Sequence, residues 1–116
     1  MRMADCIFCR IVAGELPSTR VYEDDLVFAF EDINPQAPVH VVIVPKRHIA
    51  TLNDLQPGDE TTTGRLIHAA AWIARERNIA EPGYRTIFNV NRDGGQVVYH
   101  IHLHLLGGRK LKTPLA

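Results

Sequence analysis

The segment His100-Ile101-His102-Leu103-His104-Leu105-Leu106 decides the fold, because its three histidines alternate with aliphatic residues. Alternation with a period of two predicts a β-strand, in which successive side chains point to opposite faces. We therefore expect the three imidazoles on one face of a sheet and the aliphatic side chains on the other, against the core. A glycine turn at Asp93-Gly94-Gly95 comes before this segment, so the last strand is predicted to run from Val97 to Leu106.

The histidine row indicates either metal binding or phosphate chemistry. Imidazole changes protonation near neutral pH and can act as a base, an acid or a nucleophile. Neighbouring histidines of the row start from Cα atoms roughly 6.6 Å apart, and the outer two from atoms roughly 13 Å apart. One ion can therefore bind His100 together with His102, but hardly all three histidines. A row of solvated, purely structural histidines is the third interpretation.

Two neighbouring features favour phosphate chemistry. The turn Asp93-Gly94-Gly95-Gln96 allows backbone N–H groups to come close to an anion, because glycine permits a close approach. Asn89 offers an uncharged amide on the preceding strand, which is predicted from Thr86 to Val90. Each feature alone is common, but together with the histidines they predict a phosphate site that includes Asn89, Gly95 and Gln96.

The rest of the chain alternates short β-rich runs with one long helical pattern. The predicted elements are a short helix at Ile7–Val12 closed by Gly14, a hairpin of Val21–Glu23 and Leu26–Phe30 around Asp24-Asp25, a buried strand from Val39 to Val44, and a helix from an N-cap at Asp59 to about Asn78 with Leu66, Ala70 and Ile73 on one stripe. With the two strands above, this order gives an α+β fold. We expect an antiparallel sheet of five strands with the long helix on one face.

Composition narrows the function classes. The 116 residues include 13 basic and 13 acidic residues, so the formal net charge is zero and no basic stripe attracts nucleic acid. The apolar runs are too short for a membrane span, and Met1–Asp5 lacks the apolar core of a signal peptide. We expect one domain over residues 1–116 with flexible termini at 1–5 and 110–116, a cytoplasmic location, and neither a membrane nor a nucleic-acid partner.

Cys6 and Cys9 are the only cysteines of the chain. Two cysteines do not make a disulfide scaffold, and their spacing is typical of half a metal site or of a redox pair. Two small buried residues near a terminus are the third interpretation.

Beyond the triad itself, several longer motifs resemble the histidine triad superfamily and, within it, the Hint branch of nucleoside phosphoramidases. The signature of alternating histidine and apolar residues is the segment quoted above. The further matching motifs are Asp93-Gly94-Gly95-Gln96-Val97-Val98-Tyr99, Gly107-Gly108-Arg109, Asp32-Ile33-Asn34-Pro35-Gln36-Ala37-Pro38-Val39-His40 and Val44-Pro45-Lys46-Arg47-His48-Ile49. The resemblance covers the chain from about Cys6 to Arg109.

This resemblance implies a homodimer with sheets joined across the interface, binding purine nucleoside monophosphates and hydrolysing their phosphoramidates. The middle histidine, His102, would attack phosphorus and form a nucleotidyl-histidine intermediate. His104 and His40 would be the other histidines on the phosphate side, and Asn89 the amide near the phosphate. Asp32 would bind the ribose hydroxyls, although it could also merely cap the turn before Pro35. The apolar residues that would line the base pocket are Phe8, Ile11, Phe30 and Ile33.

The resemblance also implies a structural zinc ion held by Cys6, Cys9, His48 and His100, and no organic cofactor. Two positions depart from the usual eukaryotic pattern. Val97 stands where a serine commonly lies near the phosphate, and the tail from Lys112 to Ala116 lacks a tryptophan. Two other functions remain open at this point: hydrolysis of diadenosine polyphosphates, and a non-catalytic role in binding purine nucleotides or a protein partner.

Overall fold

The structure is a computed structural model that describes residues 5–112. The termini predicted to be flexible, 1–5 and 110–116, therefore lie mostly outside the described residues. The helices are α1 (Ile7–Val12) and α2 (Glu60–Glu76), with a short 3₁₀ turn at Leu52–Asp54. The strands are β1 (Arg20–Glu23), β2 (Val27–Glu31), β3 (Val39–Pro45), β4 (Tyr84–Phe88) and β5 (Leu103–Gly107).

The five strands form one antiparallel sheet in the order β1-β2-β3-β5-β4. Strand β5, which carries the end of the histidine row, lies between β3 and β4, with Ile43 opposite Leu103 and Phe88 opposite Leu103 on the other side. The predicted α+β fold is thus confirmed. No helix within residues 5–112 is long and apolar enough to cross a membrane.

Alternation along the strands divides the core between the two faces of the sheet. On one face, α2 buries the predicted stripe of Leu66, Ala70 and Ile73 against strand residues that include Leu103 and Leu105. On the other face, α1 covers a smaller apolar cluster, whose buried members are Cys6, Phe8, Phe28, Phe30, Val42 and Val44. The histidines face this second cluster, as the period of two requires.

The last strand is shorter than predicted, because it begins at Leu103 and not at Val97. If the β3–β5 register continued, Ile101 would lie opposite Pro45, which has no N–H to donate to the ladder. The Ile101 N–H instead donates to the carbonyl of Ile49, at 2.7 Å. Residues 97–102 therefore form a bent segment that leads into β5.

Two other elements, β4 and α2, also differ from the predictions by two residues. Strand β4 runs two residues earlier than expected, so Asn89 follows the strand and does not belong to it. Helix α2 ends at Glu76, two residues before the predicted end, and Asn78 takes a positive φ of 61° there. Asparagine tolerates this left-handed conformation, which commonly ends helices.

Candidate functional site

Three of the histidines form a continuous row on the face of the sheet covered by α1. The ring centroids of His102 and His104 are 4.9 Å apart, and those of His104 and His40 are 5.1 Å apart. His40 belongs to β3 and lies opposite Leu106 of β5, so the register of two strands brings the row together. His100 turns away from this row and joins the cysteines.

A hydrogen bond to the backbone fixes which ring nitrogen of His102 carries the proton. Its Nδ1 lies 2.8 Å from the carbonyl oxygen of His100. A carbonyl can only accept, so Nδ1 carries the proton and Nε2 keeps a free lone pair. Burial lowers the pKa of His102, against the opposing effects of the His100 carbonyl and the Asp32 charge. The ring is therefore neutral at pH 7, with the tautomer that the proposed chemistry requires.

His40 and His104 are hydrogen-bonded to each other, and their tautomers are also fixed. The backbone N–H of Gln36 donates to Nδ1 of His40 at 3.0 Å, so a neutral His40 carries its proton on Nε2. That Nε2–H lies 2.9 Å from Nδ1 of His104 and 3.3 Å from a carboxylate oxygen of Asp32. His104 must then accept at Nδ1 and present an Nε2–H. Burial, followed by the charges of His102 and His40, lowers the pKa of His104 to about 4, although the Asp32 charge opposes this shift.

Asp32, His40 and His104 offer ligand atoms within 4.8 Å of one another, which is close enough for one cation. A metal at Nε2 of His40 would move the ring proton to Nδ1, where it would face the Gln36 N–H. Two donors would then oppose each other. The hydrogen bonds of this cluster therefore favour a proton over a metal ion at Nε2 of His40.

An apolar cleft adjoins the nucleophile. Its volume is about 150 Å³, and its lining comprises Ile7, Phe8, Ile11, Pro17, Ser18, Phe30, Glu31, Asp32, Ile33 and Val42. The ring of Phe8 packs edge-on against that of His102, with centroids 5.0 Å apart. All four residues predicted to form a base pocket line this cleft, together with Asp32. Ile33 stands at the rim and is 98% exposed.

Sequence reasoning missed several cleft residues, of which Val42 could have been found. It lies two positions after His40 on the same strand and so shares its face. Pro17 and Ser18 enter the cleft from the connection between α1 and β1, and no periodicity indicates that path. Asp32 also has the turn-capping contact considered above, because Oδ1 accepts the N–H of Asn34 at 2.7 Å.

The glycine turn is held by hydrogen bonds among residues 91–98 and by one bond to Ala50. The side-chain amide of Gln96 donates to the carbonyls of Ala50 and Val98 at 2.8 and 3.1 Å and accepts from the Asn91 N–H at 3.0 Å. The Gly95 N–H donates to the Arg92 carbonyl at 3.1 Å, and the Gln96 N–H donates to that of Asn91. Gln96 thus shapes this loop. Contacts of Gly95, Gln96 and the half-buried Asn89 with a phosphate stay predictions.

Cys6, Cys9, His48 and His100 form a second cluster, with ligand atoms all within 4.8 Å. The His48 Nδ1 lies 3.2 Å from Sγ of Cys9, and the His100 Nδ1 lies 3.4 Å from each sulfur. The His100 Nε2–H donates to the Pro45 carbonyl at 2.8 Å, which leaves Nδ1 free to bind a metal. Sulfur and nitrogen ligands of a tetrahedral zinc ion stand roughly 3.6 Å apart. The donor set and its spacing therefore fit such an ion.

Electrostatics in this cluster favour a cation. Burial, together with the neighbouring Cys6 thiol, raises the pKa of the Cys9 thiol to about 11, because two thiolates side by side repel. Burial lowers the pKa of His48 and, to about 4, that of His100, so both imidazoles are neutral ligands at pH 7. A divalent cation would stabilise the thiolates that burial alone disfavours.

The fold and the site together define a class of α+β proteins that present a neutral histidine with an unprotonated Nε2 beside an apolar cleft. The HIT domain family matches residues 13–111, and the chain belongs to this family. It is 55% identical over 112 residues to a purine nucleoside phosphoramidase of Escherichia coli strain K12, covering 97% of this chain and 94% of that protein.

Solved structures agree with this assignment. A HIT family hydrolase from Legionella pneumophila matches with a TM-score of 0.94 and 50% identity, covering 97% of this chain and 100% of that chain. A histidine triad protein from Clostridium difficile also has a TM-score of 0.94, with 45% identity over 98% of this chain and 99% of that one. The resemblance inferred from the sequence is thereby confirmed.

Proposed function

We propose that the protein hydrolyses the phosphorus–nitrogen bond of purine nucleoside phosphoramidates through a nucleotidyl intermediate on His102. The observation that carries this function is the tautomer of His102, which leaves Nε2 unprotonated on a ring that packs against Phe8 of the apolar cleft. A neutral imidazole brings no negative charge to an anionic phosphorus centre, and it leaves readily when water attacks in turn. The protein is accordingly a hydrolase, as its relatives are named.

In the first step, the Nε2 lone pair of His102 forms a bond to phosphorus while the bond from phosphorus to the amine breaks. The amine leaves with a proton taken up from solvent water, while the Nε2–H of His104 donates a hydrogen bond to a phosphoryl oxygen and keeps its own proton. The ring of His102 becomes cationic, and the His100 carbonyl stabilises it through Nδ1–H. In the second step, water attacks phosphorus and releases a proton to solvent, and the electron pair of the phosphorus–nitrogen bond returns to Nε2 of His102.

For the substrate, we place the purine in the apolar cleft and the ribose hydroxyls on Asp32. Phe8, Ile11, Phe30 and Ile33 supply apolar contact for the base, and Phe8 joins this surface to the nucleophile. Asn89, Gly95 and Gln96 are assigned to the phosphate end. Because the side-chain amide of Gln96 is already bonded to Ala50, Asn91 and Val98, we expect substitution of Asn89 to weaken binding more directly.

A kinetic panel tests this function against the other two. The kcat/KM for adenosine and guanosine phosphoramidates should be higher than the kcat/KM for a diadenosine polyphosphate measured under the same conditions. Calorimetry with AMP and GMP should show binding that Asp32→Ala and Asn89→Ala both weaken. Preference for the dinucleotide would assign the protein to the polyphosphate hydrolases, and nucleotide binding without turnover of any substrate would make it a binding protein.

We assign the Cys6, Cys9, His48 and His100 cluster to a structural zinc ion. Two thiolates and two imidazoles make a closed tetrahedral set that leaves no position for substrate. When bound, the ion would supply a crosslink between the N-terminal turn and the sheet. It would take no part in the reaction, and His102, His104 and His40 would retain the chemistry.

Three further assignments complete the proposal. Residues 1–116 are taken as one HIT domain, supported by the single sheet and by the extent of the family match. The protein is taken as a homodimer without a nucleic-acid or membrane partner. Its location is taken as the cytoplasm, where Cys6 and Cys9 would stay reduced.

A further inference from the structure

The segment Gly107-Gly108-Arg109 begins at the last residue of β5 and has no part in the chemistry described above. We propose that Arg109 is a positioning residue: it holds the loop of residues 32–38 so that the Gln36 N–H fixes the tautomer of His40. Through His40, this contact would place the proton of His104 on the nitrogen that faces the substrate. The catalytic consequence rests on the proposed function, whereas the tautomer itself does not.

Direct contacts join Arg109 to this loop. Its Nη2 donates to the carbonyl of Gln36 at 3.0 Å, and its Nη1 donates to the carbonyl of Lys110 at the same distance. The planar guanidinium thus bridges its own segment and the loop, with two donors in a fixed geometry. The segments are also closely packed. A Cβ on Gly108 would lie 2.9 Å from Cβ of Pro38, and the φ of +96° at Gly108 favours glycine as well.

The loop that Arg109 holds is in turn hydrogen-bonded to His40. The Gln36 residue that accepts from Arg109 also donates its N–H to Nδ1 of His40, at 3.0 Å. The Gln36 side-chain amide donates to the carbonyl of Asn34 at 3.0 Å, and the Asn34 N–H donates to Asp32 at 2.7 Å. The loop is therefore hydrogen-bonded internally, with Arg109 as its bond to the chain that leaves β5.

The Gln36 N–H favours one proton arrangement, in which the Asp32 carboxylate also accepts from the Nε2–H of His40 at 3.3 Å. With this donor in place, His40 accepts at Nδ1, donates from Nε2 to His104, and His104 keeps its own proton on Nε2. If the donor moved away, His40 could carry its proton on Nδ1 and accept from Nδ1–H of His104. The Nε2 of His104 would then lack the N–H that donates a hydrogen bond to the phosphoryl oxygens.

Two substitutions of Arg109 and one control test the inference. Arg109→Met removes both donors and keeps an apolar stem, and Arg109→Lys restores a single cationic donor. Arg85→Met is the control, because the half-buried Arg85 also lies near this end of the sheet and donates to a backbone carbonyl, that of Lys112. Side-chain ¹⁵N spectra of the substrate-free protein report the protonated nitrogen of each histidine.

Wild-type and Arg85→Met proteins should show His40 and His104 protonated on Nε2. In Arg109→Met, both should become mixtures of tautomers, and Arg109→Lys should restore part of the wild-type pattern. His102 should stay protonated on Nδ1 in every variant, because the His100 carbonyl fixes it. Unchanged His40 signals in Arg109→Met would overturn the inference, and so would equal changes in Arg85→Met.

Turnover gives a second measurement. In Arg109→Met, kcat for an adenosine phosphoramidate should fall about fivefold, the factor that corresponds to one hydrogen bond of ordinary net strength, while KM changes little. A rise in KM alone would contradict a role in proton placement. If the wild-type protein does not hydrolyse phosphoramidates, the proposed function fails, and the tautomer spectra still decide the inference.

Discussion

The chemistry of the site depends on which nitrogen of each histidine carries a proton. Three backbone groups fix the tautomers of three histidines, of which His100 and His40 carry the proton on Nε2 and His102 carries it on Nδ1. The His100 carbonyl leaves Nε2 of His102 free, the Pro45 carbonyl leaves Nδ1 of His100 free, and the Gln36 N–H puts the proton of His40 on Nε2. One residue type can therefore supply a nucleophile, a metal ligand and a hydrogen-bond donor within a few ångströms.

Replacing His102 by alanine should abolish turnover and leave nucleotide binding nearly intact. We expect kcat to fall by about a thousandfold or more, because no neighbouring group can replace a covalent route. His104→Ala should slow the reaction less, since it removes a hydrogen-bond donor and not the nucleophile. Calorimetry with AMP measures binding, and steady-state kinetics with an adenosine phosphoramidate measures turnover.

The intermediate gives the sharper result for His102. Mass spectrometry after a rapid quench without acid should find an adduct of one adenylyl group on the wild-type protein, mapped to this residue. Near-normal turnover by His102→Ala, or an adduct on another residue, would disprove the mechanism while leaving the nucleotide site in place.

At the scale of elements, α1 is the part that most needs outside support. A helix of six residues is far below the length that is stable alone, so tertiary contacts must hold it. Cys6 caps its N-terminus and belongs to the candidate zinc cluster, while Phe8, from its first turn, packs on His102. The candidate zinc cluster and the wall of the apolar cleft thus share one short helix.

Loss of one candidate zinc ligand should therefore lower thermal stability more than it lowers nucleotide binding. Protein purified without a chelator should contain about one zinc ion per chain. Cys6→Ser should lower the zinc content and the Tm, and lower AMP affinity to a smaller extent. His48→Gln and His68→Gln form a matched pair, since His68 lies outside the cluster on α2. Equal Tm and zinc content in this pair, or a protein that does not take up zinc, would refute the assignment.

The β1–β2 turn offers a prediction that depends on pH. Burial raises the pKa of Asp24, but the Tyr22 hydroxyl, the N–H groups of Leu26 and Val27, and Arg65 more than offset this and bring it from 3.8 to about 2. The carboxylate is therefore favoured by folding. Its contribution is complete above the unfolded pKa and is lost as the pH falls towards about 2.

Asp24→Asn should accordingly lower the free energy of unfolding at pH 7 by about 1–2 kcal/mol, and the difference from wild type should narrow between about pH 5 and pH 2. Urea unfolding at several pH values measures it. Asp25→Asn is the control, because the Asp25 carboxylate is 82% exposed and should contribute little. A deficit in Asp24→Asn that persists unchanged at pH 2 would show that the charge is not its source.

The sequence was most informative where a pattern repeats. Alternation placed Leu103 and Leu105 in the core, and helical spacing placed the stripe of α2 there as well. It was wrong about the start of the last strand, because the lack of an N–H at Pro45 acts across the sheet. The Gln36 and Arg109 contacts could not be predicted, since they depend on the path of a loop and on main-chain atoms that no side-chain pattern reveals.

For the whole molecule, the two edges of the sheet differ in their readiness to pair with another chain. Strand β1 is interrupted by an irregular register between Arg20 and Tyr22, and it carries ion pairs through Glu23. Bulges and charges of this kind protect an edge. Strand β4 is regular over five residues, and its Tyr84 is exposed. The β4 edge is therefore the better surface for the homodimer proposed above.

Light scattering at micromolar concentration should give twice the chain mass of 13.0 kDa. Thr86 is the central residue of β4, so antiparallel pairing about a two-fold axis would bring the two copies of this residue close together. Thr86→Lys would then place like charges opposite each other and should shift the equilibrium towards monomer. Thr19→Lys, an exposed position just before β1, makes the same change at the opposite edge and should leave the dimer intact. A monomeric wild-type protein would refute the dimer, and dissociation by Thr19→Lys alone would move the interface to the β1 edge.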